Sequence, residues 1–415
     1  MKKLCVLLLA AVMVCAMSVP VLAFENEFGG YWRARFFTQK NFTGEDQTEA
    51  QDTSRADSRT RLFYTAHFSD DLKLVNKWEM DAVWGDTSSS SYGDISADGV
   101  AVEVKNTYAD FNVGSLNFKV GTQGKTMARG LIFDDDFSGI IARYVSDTMI
   151  FPFIWMRAYE GKTGKNHSDG DVEYLALDPR FKVGEEAWLN PFVMYIYSKD
   201  ASGWASLSGN KQVDVFYVGA SVDAAFNFGS LWFTGIYETG SADSVLGGDS
   251  YDVSAYLVAA GASVNMGAAE IHGQVVMASG DDDMTDTDAK AFYVPQGQSY
   301  YWAEIMGYGI FDNQASANAP ADQISNCQVA NLGVTFSPAE KLTLTVDGWY
   351  AQLAEDDANG NKDLGTEVDL KVTYKLVENL KLEVVGAYLF AGDATNSGDN
   401  QADPYEVGAR LSFAF

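Results

Sequence analysis

The sequence predicts an all-β protein, a transmembrane antiparallel up-and-down β-barrel of about 18 strands, with about 16 or 20 as alternatives. Three observations predict it. The chain opens on an export leader, alternating apolar and polar segments of about ten residues recur along the rest, and short links alternate with long polar loops.

The leader comes first. Lys2 and Lys3 precede an apolar run from Leu4 to Met17, and Val21-Leu22-Ala23 closes it, so residues 1–23 read as a signal peptide cleaved after Ala23. Val14 is too large to precede a lipidated Cys15, so a lipoprotein signal is not expected. Residues 24–415 then form the barrel domain. They carry 27 basic and 57 acidic residues, a net charge of −30, which excludes nucleic acid as a partner. Cys327 is the one cysteine left, so no internal disulfide can hold the fold.

The alternation is clearest in Leu72 to Trp84. Leu72, Leu74, Trp78, Met80, Ala82 and Trp84 share one face, and Lys73, Lys77, Glu79 and Asp81 share the other. A face with four charges cannot meet lipid, so it must look into a wet interior. The preceding segment agrees, with Leu62, Tyr64, Ala66 and Phe68 opposite Arg59, Arg61, Thr65 and His67. Near the end, Val368, Leu370, Val372 and Tyr374 oppose Glu367, Asp369, Lys371 and Lys375. A soluble β-sandwich also alternates, but its strands are joined mostly by turns, whereas here a long loop returns after every second strand. Trp32, Phe68, Trp84, Tyr374 and Tyr388 stand at strand ends, as an interfacial girdle requires. The longest apolar stretch, Val253 to Ala269, is broken by Ser, Gly and Asn and reads as a strand and turn rather than a spanning helix.

Short links are expected at 69–71, 113–115, 227–229, 265–267, 338–340 and 377–379. Long polar loops are expected near 39–57, 85–99, 123–137, 160–170, 199–211, 239–249, 279–325, 354–365 and 391–403. Nine such loops give the count of about 18 strands, and 279–325 is long enough to contain another hairpin.

The chain ends on a strand: Tyr405, Val407, Ala409, Leu411, Phe413 and Phe415 share one phase. This architecture resembles the outer-membrane porins of Gram-negative bacteria. Gly408, Leu411, Phe413 and Phe415 are similar to the terminal signal that the barrel-assembly machinery recognises in that family. The stretch FKVGTQGKTMARGLIFDDDFSGI, Phe118 to Ile140, resembles the strand and inward loop of porins and of alginate-export-type channels, with Gly121, Gln123, Gly130 and Asp134 to Asp136 at the matching positions; Thr122 departs from the basic residue often found between Gly and Gln. The resemblance implies a water-filled channel in the outer membrane for ions and small hydrophilic solutes. It also implies contact with lipid and lipopolysaccharide, a trimeric habit and a constriction loop near 124–137.

The charges support a constriction independently. Arg33, Arg35, Arg59, Arg61, Lys73 and Lys77 fall in or near the inward phase, with Lys105 and Lys119 on the next strands. Of the basic residues, 18 lie between Phe24 and Lys182 and 9 in the rest. A basic wall facing Asp134, Asp135 and Asp136 would set a transverse field that sorts solutes by charge and dipole. Such a pore could also serve a solute-specific channel for carboxylates or phosphate, and the three aspartates tip the expected ion preference toward cations. A closed scaffold around a partner protein is the alternative from a different class.

No enzymatic activity is expected. His67, His167 and His272 stand in no catalytic motif, and the loops at 279–288 and 354–363 miss the calcium-loop pattern, so neither cofactor nor metal is expected.

Overall fold

The computed structural model describes residues 25–42, 44, 46, 52–87, 93–95, 101–161, 170–207, 209–244, 250–283, 285–311, 324–395 and 400–415. The expected signal peptide, residues 1–23, and His167 lie outside the described residues.

The alternating segments form a wall of strands: β1 (Glu25–Lys40), β2 (Thr53–Ser69), β3 (Leu72–Val83), β4 (Glu103–Val113), β5 (Leu116–Met127), β6 (Phe133–Val145) and β7 (Met149–Tyr159). Next comes β8, in two pieces, Val172–Leu177 and Arg180–Lys182, because Pro179 offers no amide to the ladder. The wall continues through β9 (Ala187–Ser198), β10 (Asn210–Phe226), β11 (Gly229–Ser244), β12 (Ser250–Met266) and β13 (Ala269–Ala278). It finishes with β14 (Cys327–Ala339), β15 (Leu342–Leu353), β16 (Asp363–Val377), β17 (Leu380–Ala391) and β18 (Tyr405–Ala414). Each strand pairs antiparallel with the next, and β18 returns to β1 from Tyr31↔Ala414 to Lys40↔Tyr405. The result is a closed antiparallel barrel of 18 strands.

The seam is made at the last residue. Gly30 N donates to Phe415 O at 2.8 Å, Phe415 N donates to Gly30 O at 3.1 Å, and Phe413 packs on Trp32 at 5.5 Å. Closure leaves no sheet edge unpaired in lipid. The six expected short links are present, and two more join β6 to β7 and β8 to β9. Three loop ranges are corrected. Residues 53–57 and 239–244 continue strands, since their backbone groups pair across β2 and β11. Most of 123–137 is also strand. The described part of 279–325 holds no hairpin; only Asp288–Ala289 pairs, in parallel, with Asp252 and Val253.

The interior has two unlike halves. Along β2 to β6 charged side chains line the interior, Arg59, Arg61, Lys77, Lys119 and Arg143 among them. Along β7 to β14 apolar ones predominate: Ile154, Met194, Val215, Tyr217, Leu257, Ala259 and Val276 belong to one buried cluster. On β12 the outward Tyr256 and Val258 are exposed while the inward Leu257 and Ala259 are fully buried. Both faces of that strand are therefore apolar, which is why Val253 to Ala269 reads as a nearly unbroken run.

Candidate functional site

Two chain segments enter the barrel and fill its apolar half. The first is the tip of the β5–β6 hairpin. β4 pairs with β5 only as far as Thr107↔Thr122, and β7 pairs with β6 only as far as Ser138↔Arg157. From Gln123↔Phe137 to Met127↔Phe133 the two strands pair with each other alone, so the hairpin leaves the wall. Gly121 sits at the bend with φ +133°, and a Cβ there would collide with the Thr107 carbonyl. The tip buries Met127, Leu131, Ile132 and Phe133 against the opposite wall. Arg129 reaches across to an ion pair with Asp223 on β10, lying over the Trp232 ring at 4.4 Å.

The second segment, a strap over 290–311, follows β13. Its Phe292, Ile305, Met306 and Phe311 are fully buried, each worth about 1.5–3 kcal/mol as apolar area removed from water. Polar anchors complete it. Glu367 accepts hydrogen bonds from Ile305 N at 2.7 Å and Met306 N at 2.9 Å, and Asp369 accepts one from Glu304 N at 3.3 Å. Glu304 in turn accepts from Ile310 N at 2.7 Å, and burial pushes its carboxyl above the usual range. Phe311 stacks on Phe37 at 4.8 Å, and its carbonyl accepts from Arg35. Tip and strap also meet: Ser299 N donates to Gly130 O at 3.1 Å, and Asp134 N donates to Gly297 O at 2.7 Å. Gly130, at φ +88°, has no room for a side chain against Ser299.

What remains open is a polar cleft along the inner face of β2 to β6. Its main cavity holds about 930 Å³ and is lined by seven basic side chains, Arg59, Arg61, Lys77, Lys105, Lys119, Lys125 and Arg143, against Asp134, Asp135 and Asp136. A smaller cavity of about 410 Å³ adjoins it through Arg59, Arg61 and Tyr301, and adds Arg33 and Arg410. Many of these cations are compensated. Glu79 bridges Arg59 at 3.2 Å and Arg61 at 2.5 Å, Asp81 holds Arg59 at 2.5 Å, and Glu383 holds Arg410 at 2.8 Å. Lys105 reaches Asp136 at 3.2 Å because a register shift between Lys77 and Trp78 makes it a bulge residue, turned inward against simple alternation. Lys125 pairs at 2.5 Å with Asp178, set at the break in β8.

The sequence-derived set is thus distributed over several places. Arg59, Arg61, Lys77, Asp134, Asp135 and Asp136 converge on the main cavity, and Arg33 lines the adjoining one. Arg35 is buried in a two-bond pair with Asp57, both at 2.8 Å, and lines neither cavity. Lys73 lies beyond the cavity toward the short turns. Gly408, Leu411, Phe413 and Phe415 lie on or at the end of the closing strand, with Gly408 packed under Phe37 and Phe311. Lys125, Arg143, Arg410 and Tyr301 escaped sequence reading. Arg143 and Arg410 were legible in principle, as charges inside alternating segments; Tyr301 was not, since the strap has no periodicity. His67 lies 3.2 Å from Glu27 and His272 2.8 Å from Asp347, each in a polar pair. Among the described residues no group of side chains could hold a metal ion.

Comparison with known proteins agrees with this architecture. The sequence model of the alginate export family matches residues 156–409, more than half of the chain, and the chain belongs to that family. No curated protein matches it. Among solved structures it is similar to the outer-membrane protein OpdK of Pseudomonas aeruginosa, with a TM-score of 0.61 at 11% identity, covering 94% of this chain and 98% of that one. OccK9 (OpdG) of the same organism gives 0.62 at 13%, with the same coverages. OccAB4 of Acinetobacter baumannii gives 0.61 at 12%, again over 94% and 98%. At these identities the likeness is one of fold.

Proposed function

We propose that this protein is a passive channel of the outer membrane for small hydrophilic solutes, with a charge filter that favours anions. The observation that carries the reading is the polar cleft, left open beside an otherwise packed lumen and lined by seven basic and three acidic side chains. Aspartates at the hairpin suggested cations, but the bases around them outnumber them, and a narrow low-dielectric passage weights nearby charge over the screened charge of distant loops. The constriction is the β5–β6 hairpin tip together with the strap, which confines solutes to one side of the barrel. A family named for alginate export supports transport. A compact cleft between two packed inserts suits small carboxylate- or phosphate-bearing solutes better than a polymer chain. We assign the protein no enzymatic role.

Planar-bilayer recording of the purified barrel tests this. Steady openings in KCl, with a reversal potential of anion-selective sign across a salt gradient, are expected. A folded barrel that stays silent would refute the channel and favour a closed scaffold; cation-selective openings would refute the filter.

A further inference from the structure

The cations of the passage fall into two groups that differ in what neutralises them. Arg59, Arg61, Lys105, Lys125 and Arg410 are each held by a carboxylate. Toward the short turns stand Lys73 and Lys77 on β3, Lys119 on β5 and Arg143 on β6, and among the described residues none of these four forms an ion pair. They are neighbours in the strand register: Lys73 and Lys119 flank Asp110, and Arg143 is two residues from the Ile141 that pairs with Lys119.

Something other than counter-charge positions them. The Lys77 ammonium lies 5.4 Å from the Phe63 ring centre and the Lys119 ammonium 5.2 Å from that of Tyr108. An aromatic face attracts a cation without cancelling its charge. Arg143 Nε donates to Asn117 Oδ1 at 2.8 Å, and Asn117 Nδ2 donates to Asp110 Oδ1 at 2.7 Å. Asp110 is the acidic group in their midst, opposite Lys73 and Lys119 in the strand register, and it is spent in part on Asn117. Lys77, Lys119 and Arg143 are thus held by rings and an amide rather than by ion pairs, and Lys73 and Lys119 share Asp110 between them in the register. Lys77, Lys119 and Arg143 open into the main cavity.

We propose that this short-turn end of the cleft is an anion-binding site for compact divalent oxyanions, with Lys73, Lys77, Lys119 and Arg143 as its ligands. A divalent anion satisfies several mutually repelling cations at once, whereas a monovalent one leaves most of the repulsion. The compensated arginines nearer the long loops contribute little to this affinity. The site deepens the channel reading and rests on it for its role in transport, but its binding is measurable separately.

Two measurements on the full barrel purified from membranes decide it. Isothermal titration with inorganic phosphate at alkaline pH, where phosphate is mainly dianionic, reads binding whether or not the barrel conducts. Bilayer current with phosphate added on the short-turn side, against gluconate at matched ionic strength, reads occupancy of the passage. Phosphate is expected to bind and to block the current while gluconate does not. Lys73→Gln with Lys119→Gln is expected to weaken both effects by about tenfold or more, and Arg59→Gln by much less. Heat-modifiable migration confirms that each variant is folded. No phosphate binding, or binding unchanged by the double substitution, would overturn the site. Binding in a silent barrel would uphold the site and refute the channel.

Discussion

Glu367 anchors the strap, and its removal gives the sharpest test of how the passage is narrowed. The carboxylate is fully buried and accepts two backbone hydrogen bonds, from Ile305 at 2.7 Å and Met306 at 2.9 Å. Hydrogen bonds to a charged acceptor contribute about 1.5–3 kcal/mol each, so the pair is worth about 3–6 kcal/mol gross. Burying the carboxylate offsets several kcal/mol of that, which leaves about 2–3 kcal/mol of net anchoring. Glu367→Ala also strands two amides without partners, so the docked strap should lose about 30- to 150-fold in its equilibrium over a displaced one. A displaced state at about 0.1% would then reach several per cent or more. In single-channel recordings this predicts resolved sojourns at higher conductance, absent from the parent, while Glu367→Gln, which keeps one carbonyl acceptor, falls between them. If folded Glu367→Ala shows the parent conductance and noise, Glu367 does not hold the strap and the argument fails.

Three further outcomes follow from the same geometry. Glu304 keeps its proton above the usual carboxylate range when the strap is docked, under burial and the nearby Glu367 charge and against Lys371 and Arg410. The docked state therefore binds more protons than the displaced one, and its stability falls as pH rises above the usual carboxylate range, so high-conductance sojourns should increase with rising pH there; a pH-independent record, or the same dependence in Glu304→Gln, would contradict this. Gly121→Val should destabilise the barrel by about 1–3 kcal/mol through a positive φ and collision with Thr107, read as a lower unfolding temperature in detergent. Arg59→Gln with Arg61→Gln removes two cations from the narrow part and leaves Glu79 and Asp81 unpaired, so the reversal potential should move toward cation selectivity; no movement would place the filter elsewhere.

Much of the site was legible because alternation has a period of two. Once one face of Leu72 to Trp84 is assigned to lipid, the other is assigned to water, and Lys73, Lys77, Glu79 and Asp81 follow without a structure. The same rule places Arg59 and Arg61 inside. It does not explain Lys105, whose inward position beside Asp136 comes from the register shift at Lys77 and Trp78; a bulge of one residue is invisible in composition. It is also silent on Arg35. Inward phase cannot say whether a guanidinium meets solute or, as here, Asp57 and the strap carbonyl.

By itself, then, the chain determined the barrel, its inward and outward faces and the closing role of Phe415, and put the count at about 18 strands with about 16 or 20 left open, because these depend on local periodicity and on turn length. Only the tertiary structure decided what fills the lumen. Whether Asp134 to Asp136 belong to a solvated turn or to a hairpin tip depends on where β4 and β7 stop pairing, and whether 290–311 lies outside or inside depends on Glu367 and Phe37, dozens to hundreds of residues away. The neutralised and the uncompensated cations look alike in sequence; they are told apart by distances across strands, which no local pattern encodes.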